Sequence, residues 1–247
     1  MLTANGGSRE RRNQRVHPAY TKPELLAAAP NQVWSWDITK LKGRAKWTCF
    51  HLYVILDIFS RLVVAWLIAE REDADLAQQL IADSVARHDI ERGSLTLHAD
   101  RGTSMRSKPV AALLVDLGIA KSHSRPYVSD DNPYSEAQFK TLKYQPDFPS
   151  CFGCIEDAQA HCQAFFAWHT SAHRHSGIGY MTPHSVHHGQ AEQLRGVRQA
   201  VLDDAFQATP KTLQATPTKT PLRCPPQSGS THHRRRPSTR NHHSLAQ

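Results

Sequence analysis

Between Gln32 and Ala69 the sequence carries three β-branched and aromatic runs divided only by short polar breaks, and this constrains the fold more than any other feature. The first, QVWSWDITKL from Gln32 to Leu41, alternates so that Val33, Ser35, Asp37 and Thr39 fall on one side. Lys42, Gly43 and Arg44 supply a turn signal. Trp47 to Ile58 and Leu62 to Ala69 follow, separated by Ser60 and Arg61. Three antiparallel strands in succession are the natural reading.

The period then changes. Asp73 or Asp75 can cap a helix that runs to about His88, with Leu76, Leu80, Ile81 and Val85 on one apolar face. SLTLHAD, Ser94 to Asp100, reads as a short strand, and Gly102 to Ser107 as a loop. A helix through Val110, Leu113, Leu114 and Leu117 follows, with Gly118 as its stop. Ala120 to Arg125 suggests another short strand. Asn132 as N-cap and Pro133 as first helical residue start a helix that carries Glu136 through Lys143. Ile155 to Trp168 make a further helix with Ala158, Cys162, Phe165 and Phe166 on its apolar face, and the stretch to Ala205 adds one more. The order is α/β, with an antiparallel opening and a parallel continuation. It fits a ribonuclease-H-like mixed sheet flanked by helices.

With 247 residues, 39% hydrophobic and 21% charged, the chain can bury one sizeable core. The formal charge of +8 is carried by the ends. Residues 206–247 hold seven basic residues and no acid, and residues 1–30 five basic and two acidic, which leaves 31–205 near −2. Charge alone is therefore a weak argument for nucleic acid. From about Thr209 the chain turns to Pro, Thr, Ser, His and Arg without periodicity, which reads as a disordered basic tail. The five cysteines are odd in number and sparse, as in a reducing compartment. No signal peptide or membrane-spanning run is legible, so the expected location is the cytoplasm.

Three carboxylates stand out by their places in this order. Asp37 lies on the first strand, Asp100 ends the SLTLHAD strand, and Glu136 is in the first turn of a late helix. In an open α/β sheet such positions can converge on one edge. Paired hard divalent cations need shared carboxylate oxygens, which only Asp and Glu provide. Asp57, in YVILDIFSR, is a rival that reads as structural, and His98 reads as a packed strand residue.

WSWDIT around Asp37, LHADRG around Asp100 and DNPYSEAQFKTLK around Glu136, with 35 residues between Asp100 and Glu136, resemble the integrase-core transposases of bacterial insertion sequences, in particular the group usually numbered three. The resemblance spans about Tyr20 to Leu194. It implies a DDE-type DNA transposase that cleaves a strand and joins its 3′-hydroxyl elsewhere. It also implies magnesium (Mg2+), with manganese (Mn2+) able to substitute, on Asp37, Asp100 and Glu136. Lys143 would contact the DNA backbone, and Lys140 can share its helical face with Glu136 and Lys143. The domains expected are a basic N-terminal segment 1–30, an integrase-like catalytic core 31–205 and a disordered tail 206–247.

The sequence departs from that pattern in three places. Only about 30 residues precede Gln32, too few for a helix-turn-helix, so a truncated or frameshifted copy is expected, with a helix-turn-helix partner or upstream frame product. The Pro/His-rich tail differs, and WHTSAHRHSG lacks an Asn after the aromatic pair. Partners would be DNA (element ends and target) and further copies of the chain, in a bacterial, nucleoid-associated setting. The alternatives are a same-fold metal-dependent nuclease and a catalytically silent DNA-binding fragment. Cys151, Cys154, His169 and His173 match a zinc-finger spacing, but Ala158 and Ala164 stand where bulky apolar residues belong, so a buried helix is the preferred reading.

Overall fold

The computed structural model describes residues 25–100, 107–124 and 131–208. The expectations for residues 1–24, for most of the Gly102 to Ser107 loop, for Arg125, and for the tail beyond residue 208 lie outside the described residues.

The three opening runs form β1 (Val33–Lys42), β2 (Cys49–Asp57) and β3 (Val63–Ala69), paired antiparallel. The rest of the sheet comes from β4 (Thr96–Ala99), parallel to β1, and β5 (Ala120–His123), parallel to β4. The spatial order is β3-β2-β1-β4-β5, the mixed order anticipated from the sequence. The parallel half needs crossovers, and α1 (Ala74–Arg87) and α2 (Lys108–Asp116) supply them.

The helix signals act through identifiable bonds. Asp73 caps α1 by accepting from the Asp75 N–H at 2.8 Å. Gly118 follows α2 at φ 67, a left-handed conformation that glycine adopts without cost. The two faces of the sheet carry separate cores. Trp34, Trp36, Tyr53 and Ile55 pack with Ala77, Ile81 and Val85 of α1 and with Val110 and Leu114 of α2. Leu41, Leu52, Val54 and Ile68 pack instead with Phe139 and Leu142 of α3 (Pro133–Lys143), and with Ala158, Cys162, Phe165 and Phe166 of α4 (Ile155–Ser171). Period-2 alternation in β1 and β2 decides which residue serves which core.

The C-terminal part differs from expectation. Helix α4 runs past its expected end at Trp168, which is 39% exposed, to Ser171, and it buries His169 as well. The buried set Ala158, Cys162, Phe165, Phe166 and His169 follows the 3.6-residue period, and Trp168 falls off it. The single expected last helix is two, α5 (Pro183–His187) and α6 (Ala191–Ala208), preceded by a 3-10 turn at Ser176–Ile178. Thr182 caps α5 ahead of Pro183, and Gly189 at φ 72 separates it from α6. Among the described residues no helix is long and apolar enough to cross a membrane.

Candidate active site

The parallel pairing of β1 and β4 sets Trp36 beside Ala99. One residue beyond that pair stand Asp37, still on β1, and Asp100, which directly follows β4. The Asp37 side chain leaves the strand on the same side as Ser35 and Thr39. The same step on β5 brings in Ser124. His123 pairs with Ala99, the Ser124 N–H donates to the Ala99 carbonyl at 3.2 Å, and the Ser124 hydroxyl donates a short hydrogen bond to Asp100 Oδ1.

Helix α3 brings Glu136 to this face. Ser135 Oγ lies 2.6 Å from Ser35 Oγ, and at the other end Lys143 Nζ lies 2.6 Å from Thr39 Oγ1. Eight helical residues rise about 12 Å and four strand residues about 13 Å, so α3 runs alongside β1 in matching length. Ser35, Asp37 and Thr39 share one side of β1, and Glu136 follows Ser135 directly. Asn132 stands at the predicted N-cap, but its side chain does not cap the helix. Its Oδ1 accepts from Ser35 Oγ at 2.5 Å and its Nδ2 donates to the Trp36 carbonyl at 3.2 Å. Ser35, Asn132 and Ser135 are all buried, so a dry polar knot fastens the strand of Asp37 to the helix of Glu136.

The electrostatics bear on the same grouping. Burial pushes the half-buried Asp37 carboxyl up, and the negative charges of Asp100 and Glu136 add to this, to about 7. The Ile38 N–H, donating to Oδ1 at 2.8 Å, and the Lys143 ammonium pull the other way. Lys143 is lowered by its own partial burial against the opposing pull of Asp37. Asp37 thus senses Asp100, Glu136 and Lys143, whereas Lys140 is exposed one turn back on α3. Among the described residues no three His, Cys, Asp or Glu side chains are grouped, as they stand, so that they could hold a metal ion.

The rival residues have other employment. Asp57 is fully buried, accepting from the Asn31 N–H at 2.7 Å, the Ser60 N–H at 2.7 Å and the Ser60 hydroxyl at 2.6 Å, with His187 Nδ1 3.9 Å away. It fixes the β2–β3 turn. His98 is buried, with Nδ1 3.0 Å from Ser122 Oγ and Nε2 3.4 Å from Ser124 Oγ, and burial lowers its pKa. Cys154 is the N-cap of α4 and His169 is in its last turn. Fifteen helical residues hold them about 22 Å apart, so the Cys and His pairs cannot share one ion.

Sequence reading missed Ser35, Ser124 and Ser135. A serine carries no periodic or motif signal of its own. Only strand register and the position of α3 show that these three touch the carboxylate carriers.

Comparisons with known proteins bear on the family and the fold. The integrase core domain is matched by residues 27–129, and a second integrase core domain pattern by residues 117–183. The transposase of insertion sequence element IS904 from Lactococcus lactis is 28% identical over 169 residues, covering 66% of this chain and 66% of that protein. Transposase InsF of insertion sequence IS3A from Escherichia coli is 31% identical over 122 residues, covering 49% of this chain and 41% of that protein. The chain therefore spans less than two thirds of the length of these relatives. Among solved structures, a chain of the simian T-cell lymphotropic virus intasome in complex with PP2A regulatory subunit B56 gamma has a TM-score of 0.51 at 20% identity, over 70% of this chain and 60% of that one. That likeness is one of fold. The two integrase core patterns together take in residues 27–183, so the chain belongs to the integrase core family, and it is similar to bacterial insertion-sequence transposases.

Proposed function

We propose that this chain is the catalytic core of a DDE-type DNA transposase, with Asp37, Asp100 and Glu136 as the residues that hold its divalent cations, magnesium or manganese. The observation that supports the reading is the register of Trp36 with Ala99, one residue short of Asp37 and Asp100, together with the influence of the Asp100 and Glu136 charges on Asp37. The donor chemistry fits the ions: carboxylate oxygens are hard donors, and Asp37, raised to about 7 mainly by burial and further by the charges of Asp100 and Glu136, is a carboxyl that a cation would return to its charged form. Bound there, a divalent pair supplies neutralisation of charge at the scissile phosphate and a more acidic attacking oxygen.

The protein's own groups supply position. The Ser35–Asn132–Ser135 knot fixes α3 against β1, and Ser124 orients Asp100. Lys143 and Lys140 offer cations to the phosphate backbone, which makes binding salt-dependent and only weakly sequence-specific. The reaction is in-line phosphoryl transfer without a covalent enzyme intermediate. Water first cleaves a phosphodiester and frees a 3′-hydroxyl. That hydroxyl then attacks a second phosphodiester, so one P–O bond forms as another breaks. The partners of this reading are DNA ends and target DNA, further copies of the chain, and a helix-turn-helix protein that recognises the ends, in the bacterial cytoplasm.

A strand-transfer assay with a pre-cut 3′-hydroxyl end tests the reading. Asp100→Asn and Glu136→Gln should each reduce joining by at least about a thousandfold, as loss of an essential ion-holding charge does. Full joining by either variant sinks the assignment, and cleavage without any joining by the unaltered chain identifies a nuclease instead.

A further inference from the structure

The β1–β2 hairpin carries a feature that the carboxylate site leaves unused. Between Asp37 and Asp57 the chain has four basic residues, Lys40, Lys42, Arg44 and Lys46, and no acidic one. All four are exposed, and none enters an ion pair among the described residues. At the tip, Trp47 is 90% exposed, with the Lys46 ammonium 5.5 Å from its ring centroid. An indole held in water amid cations is a stacking surface for a base whose phosphates the cations attract.

The tip is built rather than loose. The Gly43 N–H donates to the Thr48 carbonyl at 3.0 Å, the Thr48 N–H to the Ala45 carbonyl at 3.1 Å, and the Thr48 hydroxyl to the same carbonyl at 2.7 Å. A side chain at Gly43 would collide with Thr48. Trp47 itself sits at φ 71, a left-handed conformation rarely adopted by a bulky residue and a recurrent mark of functional positions. The base of the hairpin is anchored by the Phe152 N–H donating to the Lys42 carbonyl at 2.9 Å.

Its position continues the carboxylate site. Moving outward along β1 from Asp37, one meets Thr39 with its Lys143 contact, then Lys42 at its contact with Phe152, then the tip. Tyr144, 83% exposed, follows Lys143 directly at the end of α3. Six strand residues separate Asp37 from Gly43, about 20 Å, or about six nucleotide steps of a DNA strand. Bases within a duplex already stack on one another, so an indole can take only a base that is open.

We propose that Trp47, flanked by Arg44 and Lys46, is a stacking platform for an unpaired base of the DNA strand that enters or leaves the carboxylate site. This rests on the DNA-processing reading above for the identity of the polymer. The contact itself needs neither metal nor chemistry.

The test is fluorescence anisotropy of the full chain in EDTA, using a labelled blunt duplex and the same duplex with a single-stranded extension of about six nucleotides. The unaltered chain should prefer the extended DNA. Trp47→Ala should weaken that complex on the order of tenfold and the blunt one by less than about twofold, while Trp47→Phe keeps most of the affinity. Arg44→Ala with Lys46→Ala should weaken both and reduce the salt slope by up to about two. Equal affinity of Trp47→Ala and the unaltered chain for the extended DNA, or an equal loss on both DNAs, overturns the platform. EDTA keeps the chain free of divalent metal, so binding is read apart from any chemistry. A failure of the catalytic reading in strand transfer therefore leaves this binding result intact, and the reverse also holds.

Discussion

Ser35 on β1 and Ser135 on α3 face each other at 2.6 Å, oxygen to oxygen, although a hundred residues separate them in sequence. Each is next or next but one to an acid of the candidate site, Asp37 on the strand and Glu136 on the helix. Asn132 completes the contact by bonding both Ser35 and the Trp36 carbonyl. The group is buried, so no water can replace a lost partner.

Asn132→Ala therefore takes a donor from the Trp36 carbonyl and leaves the Ser35–Ser135 pair one acceptor short in a dry place. Each orphaned group costs about 1–3 kcal/mol. The melting temperature should drop by roughly 5–15 °C at about 2–4 °C per kcal/mol for a domain of this size. Ser135→Ala should cost less, because Asn132 still satisfies Ser35. Equal melting temperatures for Asn132→Ala and the unaltered protein would show that the knot carries no stability.

Asp57 offers a contrast, a buried carboxylate with a structural task. Replacing it with Ala strips three donors, the N–H groups of Asn31 and Ser60 and the Ser60 hydroxyl, of their acceptor. Breaking such a buried charged network typically costs about 3–5 kcal/mol. Urea unfolding of Asp57→Ala should show a loss of this size, with Asp57→Asn in between because one oxygen remains to accept. Unchanged stability in Asp57→Ala would contradict the role assigned here.

One buried histidine, His169, and one half-buried, His175, set the acid limit of stability. Both nitrogens of His169 lack a hydrogen-bond partner, and burial, aided by His173 and His175, pushes its pKa down to about 3. His175 is pushed down to about 4 by burial, with Arg61 and His173 adding to the effect. In the unfolded chain both histidines protonate near their ordinary value of about 6.5. Below that pH the unfolded state binds more protons than the folded one, so stability is full above about 6.5 and falls steadily toward pH 4 and 3. Urea midpoints measured from pH 7.5 to 4.5 should decline, and His169→Leu should flatten the decline without lowering stability at pH 7.5. An equally steep decline in His169→Leu would remove His169 from the explanation.

The cysteines should separate by reactivity. Cys162 is fully buried in the α4 core, and burial pushes its thiol up to about 12. Cys154 is exposed at the start of α4. Thiolate is the reactive form, so iodoacetamide at pH 8 followed by peptide mapping should leave Cys162 unmodified in the folded protein and alkylate it in urea. Cys154 should react in both. Modification of folded Cys162 at the rate of Cys154 would mean that the α4 core opens readily.

The elements of the fold were legible because their signals are local. Alternation in QVWSWDITKL told which side of β1 Ser35, Asp37 and Thr39 occupy, and the β5 strand and the start of α3 were read from runs and caps within a few residues. The zinc-like Cys and His spacing misleads for the complementary reason: spacing along a chain says nothing of distance once 15 of the intervening steps are wound into one helix. The same limit hid the use of Asn132, which sits at a cap position yet serves another strand.

What the sequence determined by itself was the carriers: that Asp37 lies on β1 on the side of Ser35 and Thr39, that Asp100 comes at the end of β4, and that α3 bears Glu136. Periodicity is a property of neighbouring residues, so it survives without tertiary contacts. Only the folded chain decided that Trp36 pairs with Ala99, that Ser124 reaches Asp100, that His169 rather than Trp168 is buried, and that Trp47 stands in water. These depend on register and packing between segments tens of residues apart, where burying one side chain excludes another, and no local pattern encodes that competition.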